Sequence, residues 1–152
     1  MLIQTLFDGG LELVAAAICL VILTVTIHAV GFAALLRAMV WSRTIDASGF
    51  WRVTVTTIGL TCWLMVIHLL EISVWALFYL WQGCLPDGES AVYFPGVTYT
   101  TVGYGDLVLP RQWRMLGALE AMTGILMAGL STGLFFAVIS RWIKGWVKSI
   151  RH

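Results

Sequence analysis

The chain has 152 residues, 60% of them hydrophobic and only 11% charged, with a formal net charge of +1 and a mean hydropathy of +0.91. A water-soluble domain of this size needs a far more polar surface, so the composition implies an integral membrane protein with no room for a second soluble domain. The near-zero charge gives no footprint for nucleic acid. No phosphate loop, nucleophile–base pair or internal repeat stands out, so neither an enzyme nor an organic cofactor nor a soluble partner is indicated.

Crossing ~30 Å of hydrocarbon takes about 20 residues of helix, and three apolar segments are long enough. The first runs from Leu11 to Val40, with no charge between Glu12 and Arg37. It is too long for a signal-peptide core and has no basic residue before it, so it reads as a mature span. The second runs from Val53 to Leu80 with Glu71 inside it, and the third from Trp113 to Ile143 with Glu120 inside it. Seven basic residues (Arg37, Arg43, Arg52, Arg141, Lys144, Lys148 and Arg151) flank the 41–52 connection and the C-terminus, whereas the N-terminus offers Asp8 and Glu12. The positive-inside rule then places the 41–52 loop and the C-terminus in the cytoplasm and the N-terminus outside, against the minority vote of Arg111 and Arg114. Trp41, Trp51, Trp142 and Trp146 suit an inner aromatic belt and Trp75, Trp81 and Trp113 an outer one, with Trp63 left for packing. Cys19 and Cys62 fall in apolar runs and read as small core residues. Cys84, in a loop, is the one placed for a disulfide, which without a nearby partner would join two subunits.

Residues 81–112 are too short and too polar to span, and the orientation makes them external. "LPDGES" (85–90) reads as a turn and a helix start, with Asp87 or Ser90 as cap and Glu89 in the first turn. A helix over 90–100 would enter the membrane and stop partway, and "TVGYGD" (101–106) would carry the chain out again. Irregular backbone at that depth is tolerated only where protein buries it or water fills a cavity. Gly103 and Gly105 permit backbone angles closed to other residues. Alternated with ordinary residues, such angles can turn successive carbonyls to one side, where they can replace the water shell of a cation. Val102 and Tyr104 would then point away and pack on surrounding helices.

"TTVGYGD", Thr100 to Asp106, resembles the selectivity filter of potassium channels, and residues 53–143 resemble the pore module of that family. The resemblance implies an all-α membrane protein with three transmembrane helices, a re-entrant pore helix and a filter loop per subunit, four subunits closing one homotetrameric pore. It divides the chain into an extra N-terminal helix with its connection (1–50) and a pore module (51–152). The module comprises an outer helix (53–80), a pore helix (90–100), a filter (101–106), an inner helix (113–143) and a short basic tail. It implies passive conduction of K+, held by the carbonyls of Thr101, Val102, Gly103 and Tyr104 and by the Thr101 hydroxyl. Thr100, Gly105 and Asp106 would support the filter, with Asp106 bonded to the pore-helix Tyr93. The remaining partners implied are the protein itself and membrane lipid, and the compact form and short tails suggest a prokaryotic inner membrane.

Several residues depart from the family pattern. Pro95 falls inside the pore helix, where it removes a donor and can kink the chain. Tyr99 replaces a residue that is often small, and Val97 stands where one bacterial relative carries a glutamate. The first span has Arg37 alone, near its inner end, which argues against a voltage sensor. It reads as a peripheral helix packed on the pore module or on a neighbouring subunit. The tail after Ile143 is too short for a cytoplasmic ligand domain.

The third span holds Gly117, Gly124, Gly129 and Gly133, small residues that let helices approach closely. With a one-residue gap, Gly124 aligns to the glycine at which inner helices of relatives bend. Ile125, Ala128, Thr132, Phe136 and Ser140 lie at helical spacing below it and would line the cavity, with Phe136 a candidate hydrophobic gate. Glu71 and Glu120 are costly inside a membrane and so are functional candidates. They read as buried hydrogen-bonding supports for the filter, near Tyr99 or Thr98, and as candidate pH sensors. His68 lies one turn before Glu71 on the same face and can pair with it. It and His28 otherwise read as buried neutral histidines. Three alternatives to a potassium channel stay open: a non-selective cation channel, a modulatory channel subunit, and a small haem-binding protein using His28 and His68.

Overall fold

The computed structural model describes the backbone of residues 2–42 and 49–150 and the side chains of residues 10–42 and 49–144. Arg43 and the side chains of Asp8, Trp146, Lys148 and Arg151, used above for orientation, lie outside the described residues. Helix α1 (Leu2–Trp41) leads to α2 (Phe50–Trp81), a short α3 (Gly88–Tyr99), a 3-10 turn (Arg111–Trp113) and α4 (Arg114–Ile150). Three segments, Gly10–Trp41, Phe50–Trp81 and Arg111–Lys144, are long and apolar enough to cross a membrane, and each contains one of the expected spans. At 1.5 Å per residue the first reaches ~48 Å, well beyond ~30 Å of hydrocarbon, so it must tilt or project into the interface.

The ends of α2 and α3 follow local chemistry. Helix α2 closes with the Cys84 N–H donating to the Tyr79 carbonyl at 2.9 Å, a bond that spans the last turn and satisfies an orphan acceptor. Of the two expected caps for α3, Asp87 takes the role: its carboxylate accepts the Ser90 N–H at 2.7 Å. This holds the Asp87 carboxyl below its usual value. The 12 residues of α3 continue through Pro95, which is fully buried. They span ~18 Å, enough to reach the middle of a bilayer and no further.

Two apolar clusters hold the helices together. One joins Trp75 and Tyr79 of α2, Phe94 and Tyr99 of α3, Leu116 and Met127 of α4, and Ala17 and Leu20 of α1. The other joins Leu35 and Met39 of α1, Leu60, Leu64 and Ile67 of α2, and Leu134, Val138 and Trp142 of α4. Helix α3 thus wedges between α2 and α4 at one end of a three-helix bundle, and α1 packs on the same chain's α2 and α4 along both clusters.

Several apolar residues sit opposite to expectation. Trp75 and Trp142, assigned to membrane belts, are buried, at 0% and 6% exposure. Trp63 lies at the helix surface and donates its indole N–H to the Gly31 carbonyl of α1 at 3.0 Å. Cys19 and Cys62 are exposed, and Cys84, expected to be available for a disulfide, is buried. Burial also pushes the Cys84 thiol above its usual value. The physical reason is common to all six. In a membrane both the packed face and the lipid face of a helix are apolar, so hydropathy does not say which residue turns inward.

Candidate functional site

Residues 101–106 leave the C-terminal end of α3 as irregular backbone. The Thr101 N–H donates to the Thr98 carbonyl at 2.9 Å and the Gly103 N–H to the Val97 carbonyl at 3.1 Å, so the segment is tied back onto the helix that delivers it. The Thr100 hydroxyl donates to the Gly96 carbonyl at 2.7 Å and closes the last turn. Positive φ angles recur at alternate positions: Thr101 (61°), Gly103 (51°) and Gly105 (77°). The glycines accept this without a Cβ penalty. Thr101 is β-branched, and holding it there costs on the order of 1–3 kcal/mol, a demand that sequence reasoning had assigned to the glycines alone. At the far end the Tyr93 hydroxyl donates to the Asp106 carboxylate at 2.9 Å. That bond to the Asp106 carboxylate raises the Tyr93 phenol above its usual value. Within one chain Val102 and Tyr104 do not pack on the helices; they are 51% and 72% exposed.

Behind this segment lie the two membrane acids, both fully buried. Glu71 on α2 gathers partners from three helices. Its Oε1 meets His28 Nδ1 of α1 at 2.8 Å, its Oε2 meets His68 Nδ1 at 3.1 Å, and the Tyr99 hydroxyl donates to the same Oε2. With the ring protons on Nδ1 both imidazoles donate to the carboxylate, and His68 Nε2 faces the Ser131 hydroxyl of α4 at 3.1 Å. His28 is buried, as expected, but paired; its Nε2 has no partner among the described residues. Because both rings converge on one carboxylate, with centroids 5.6 Å apart and tilted by 47°, they do not oppose one another across the plane a haem would need. Glu120 on α4 accepts the Tyr79 hydroxyl at 2.8 Å. Both acids lie near Tyr99, Glu71 through the hydrogen bond and Glu120 close enough to act on it electrostatically, but the hydrogen-bond partner of Glu120 is an α2 tyrosine that sequence reasoning missed. Nothing local signals that pair, since 41 positions separate the two residues.

A known family covers this arrangement. The family described as "Ion channel" matches residues 65–141, about half of the chain. The chain belongs to this ion-channel family. No curated protein and no solved structure gives a match. The matched region starts within α2, takes in α3 and the 101–110 loop, and ends on α4; α1 lies outside it.

In this channel the residues expected to line a cavity form the uncovered side of α4. Ile125, Ala128, Thr132 and Phe136 are exposed, Phe136 at 72%, and Ser140 is partly so. Met127, Ser131, Leu134 and Val138 turn to the bundle instead. At Gly124 α4 packs tightly against α3: a Cβ there would meet the Tyr99 carbonyl oxygen at 2.0 Å. The α4 helix runs unbroken through this point, so its crossing with α3 requires a glycine irrespective of any bending.

Proposed function

We propose that this ion channel is selective for potassium and conducts it passively through a pore formed by four copies of the chain. The observation that carries the reading is the segment Thr101–Asp106. Its residues resemble the potassium filter, its backbone alternates positive φ at Thr101, Gly103 and Gly105, and it is tied to a half-length helix by the Gly103 and Thr101 amides. The carbonyls of Thr101, Val102, Gly103 and Tyr104 and the Thr101 hydroxyl are the proposed ion ligands, with Thr100, Gly105 and the Tyr93–Asp106 bond as their support. One strand of carbonyls cannot surround an ion, and cyclic symmetry supplies the other three. The exposure of Val102 and Tyr104 fits such an assembly, in which neighbouring subunits cover them. The uncovered Thr132 and Phe136 then face the common axis, with Phe136 the proposed gate. Four α3 C-termini bring partial negative charge towards a cation beneath the filter. The proposed orientation has the filter outside and the C-terminus in the cytoplasm of a prokaryotic inner membrane.

The test is ion flux in liposomes holding the purified protein, with potassium and sodium compared and Gly103→Ala run in parallel. A Cβ at a φ of 51° is strained whatever the space around it, so the variant distorts the filter without touching the bundle. Potassium-selective flux that the variant loses is the expected result. Equal sodium and potassium flux refutes selectivity and leaves a non-selective cation channel.

A further inference from the structure

The cluster behind the filter contains a second kind of chemistry. His28, His68 and Glu71 each place a donor atom within 4.8 Å of the other two, and the Tyr99 oxygen lies 3.2 Å from His68 Nδ1. The closest separations are 2.8 Å from His28 Nδ1 to Glu71 Oε1 and 3.1 Å from His68 Nδ1 to Glu71 Oε2. A tetrahedral zinc ion with nitrogen and oxygen ligands at about 2.0–2.1 Å holds those ligands roughly 3.3 Å from one another. Those two separations lie within about half an ångström of that spacing and His28 and His68 fall within 4.8 Å of one another, so closing on an ion requires small shifts of the two rings and a larger separation of the Tyr99 hydroxyl from Glu71 Oε2.

The ligand set also selects the class of cation. Two imidazoles with a carboxylate and a phenol suit a borderline divalent metal, whereas magnesium and calcium favour oxygen throughout. Metal-bound imidazoles usually give their second N–H to a fixed oxygen, which sets the tautomer. His68 has that partner in Ser131 Oγ, 3.1 Å from its Nε2. Glu71 and His28 are buried and His68 keeps 22% of its side chain exposed, so the approach is from the His68 side.

We propose that His28, His68 and Glu71, with Tyr99 completing the set, bind a divalent cation of the zinc class. The ion joins α1 and α2 to the last residue of α3, two residues before Thr101. On binding, the proton of each neutral imidazole moves from Nδ1 to Nε2 so that Nδ1 can bind, the Tyr99 phenol releases its proton to solvent as it becomes a ligand, and the Glu71 oxygens exchange hydrogen bonds for metal bonds. No electron is transferred and no covalent bond to carbon changes. The site is separate from the potassium ligands, and its test does not depend on conduction.

The experiment uses the full chain, purified in detergent and freed of metal with a chelator, then titrated with Zn2+ and with Co2+ as a spectroscopic probe. The expected results are one ion per chain and a four-coordinate cobalt spectrum without a sulfur-to-metal charge-transfer band. His28→Asn, His68→Asn and Glu71→Gln each weaken binding by at least about tenfold, and Ser131→Ala weakens it by about tenfold. Cys84→Ser leaves it unchanged. Should one ligand variant fail to give monodisperse protein, the other two and the wild-type cobalt spectrum still decide. No retained ion, a thiolate band, or equal binding by the ligand variants overturns the proposal.

Discussion

Gly124→Ala is the sharpest perturbation the fold offers. The new Cβ would lie 2.0 Å from the Tyr99 carbonyl oxygen, 2.9 Å from its carbon and 3.2 Å from Cδ1 of the same residue. Ordinary contact begins at 3.4 Å, so α3 and α4 must separate by roughly 1.4 Å, a distance set by close-packed atoms that cannot overlap. Overpacking of this kind costs about 1–3 kcal/mol. The upper end applies here because the obstructing atom is backbone and has no rotamer to escape into. Alanine returns about 1 kcal/mol of helix propensity, leaving a net loss of about 1–2 kcal/mol. The displaced carbonyl is two residues before Thr101, so conduction should fall as well. Gly117→Ala is the control, since its Cβ would meet the Phe94 ring at 3.6 Å, an ordinary contact. Thermal unfolding followed by tryptophan fluorescence, with potassium flux in liposomes, reads both effects. The packing argument fails if Gly124→Ala is as stable as Gly117→Ala. A variant of unchanged stability and altered open probability would give Gly124 the hinge role that its alignment suggests.

Three further expectations concern the supports. Tyr79→Phe leaves the buried Glu120 carboxyl without the donor it has at 2.8 Å and should cost about 1–3 kcal/mol. Adding Glu120→Leu to it should recover most of that loss in a thermal-unfolding double-mutant cycle, because both partners are then apolar. The Asp87 carboxyl sits below its ordinary value, chiefly through the Ser90 backbone N–H. Its contribution is therefore fully present above the unfolded carboxylate value of about 3.9 and is lost as pH falls through the lower folded value. Asp87→Ala should lower the melting midpoint at neutral pH and flatten its decline below about pH 4, and an unchanged acid limb would count against the cap. Cys84 is buried with a raised thiol pKa, so a polar maleimide should label it slowly in the folded channel and rapidly after denaturation. Fast labelling of the folded protein would contradict that burial.

What the sequence makes legible here depends on the kind of signal. The three spans are long apolar runs, and their existence needs no partner to be known. The start of α3 is equally local, because Asp87 and the Ser90 amide are three residues apart. The Tyr93–Asp106 bond was reached by resemblance to the potassium-channel pore rather than from local signal. Three features were out of reach for physical reasons. Thr101 adopts a positive φ against the preference of any β-branched side chain, because the path of the 101–106 segment imposes it. The Tyr79–Glu120 and His28–Glu71 pairs join residues 41 and 43 positions apart, and only the packing of helices brings them together. The burial of Trp75, Trp142 and Cys84 is a choice between apolar faces, to which hydropathy is indifferent.

Helix α1 shows how far the family match and the working unit can differ. It lies outside the matched residues 65–141, and by sequence it divides from the pore module near residue 50. Its side chains nevertheless enter that module. Ala17 and Leu20 share a cluster with Phe94 and Tyr99, and Gly31 receives the Trp63 indole proton. His28 is one of three groups satisfying Glu71. A carboxylate at 0% exposure inside a membrane span is tolerated only when its hydrogen-bonding capacity is met. Helix α1 supplies the single partner of Glu71 Oε1 recorded among the described residues, and α2 and α3 share Oε2. Removing α1 would strip that oxygen, open the apolar cluster behind α3 and weaken the support beneath residues 101–106. The extra helix belongs to the scaffold that holds residues 101–106, and the boundary at residue 50 separates two stretches of sequence without separating two structural units.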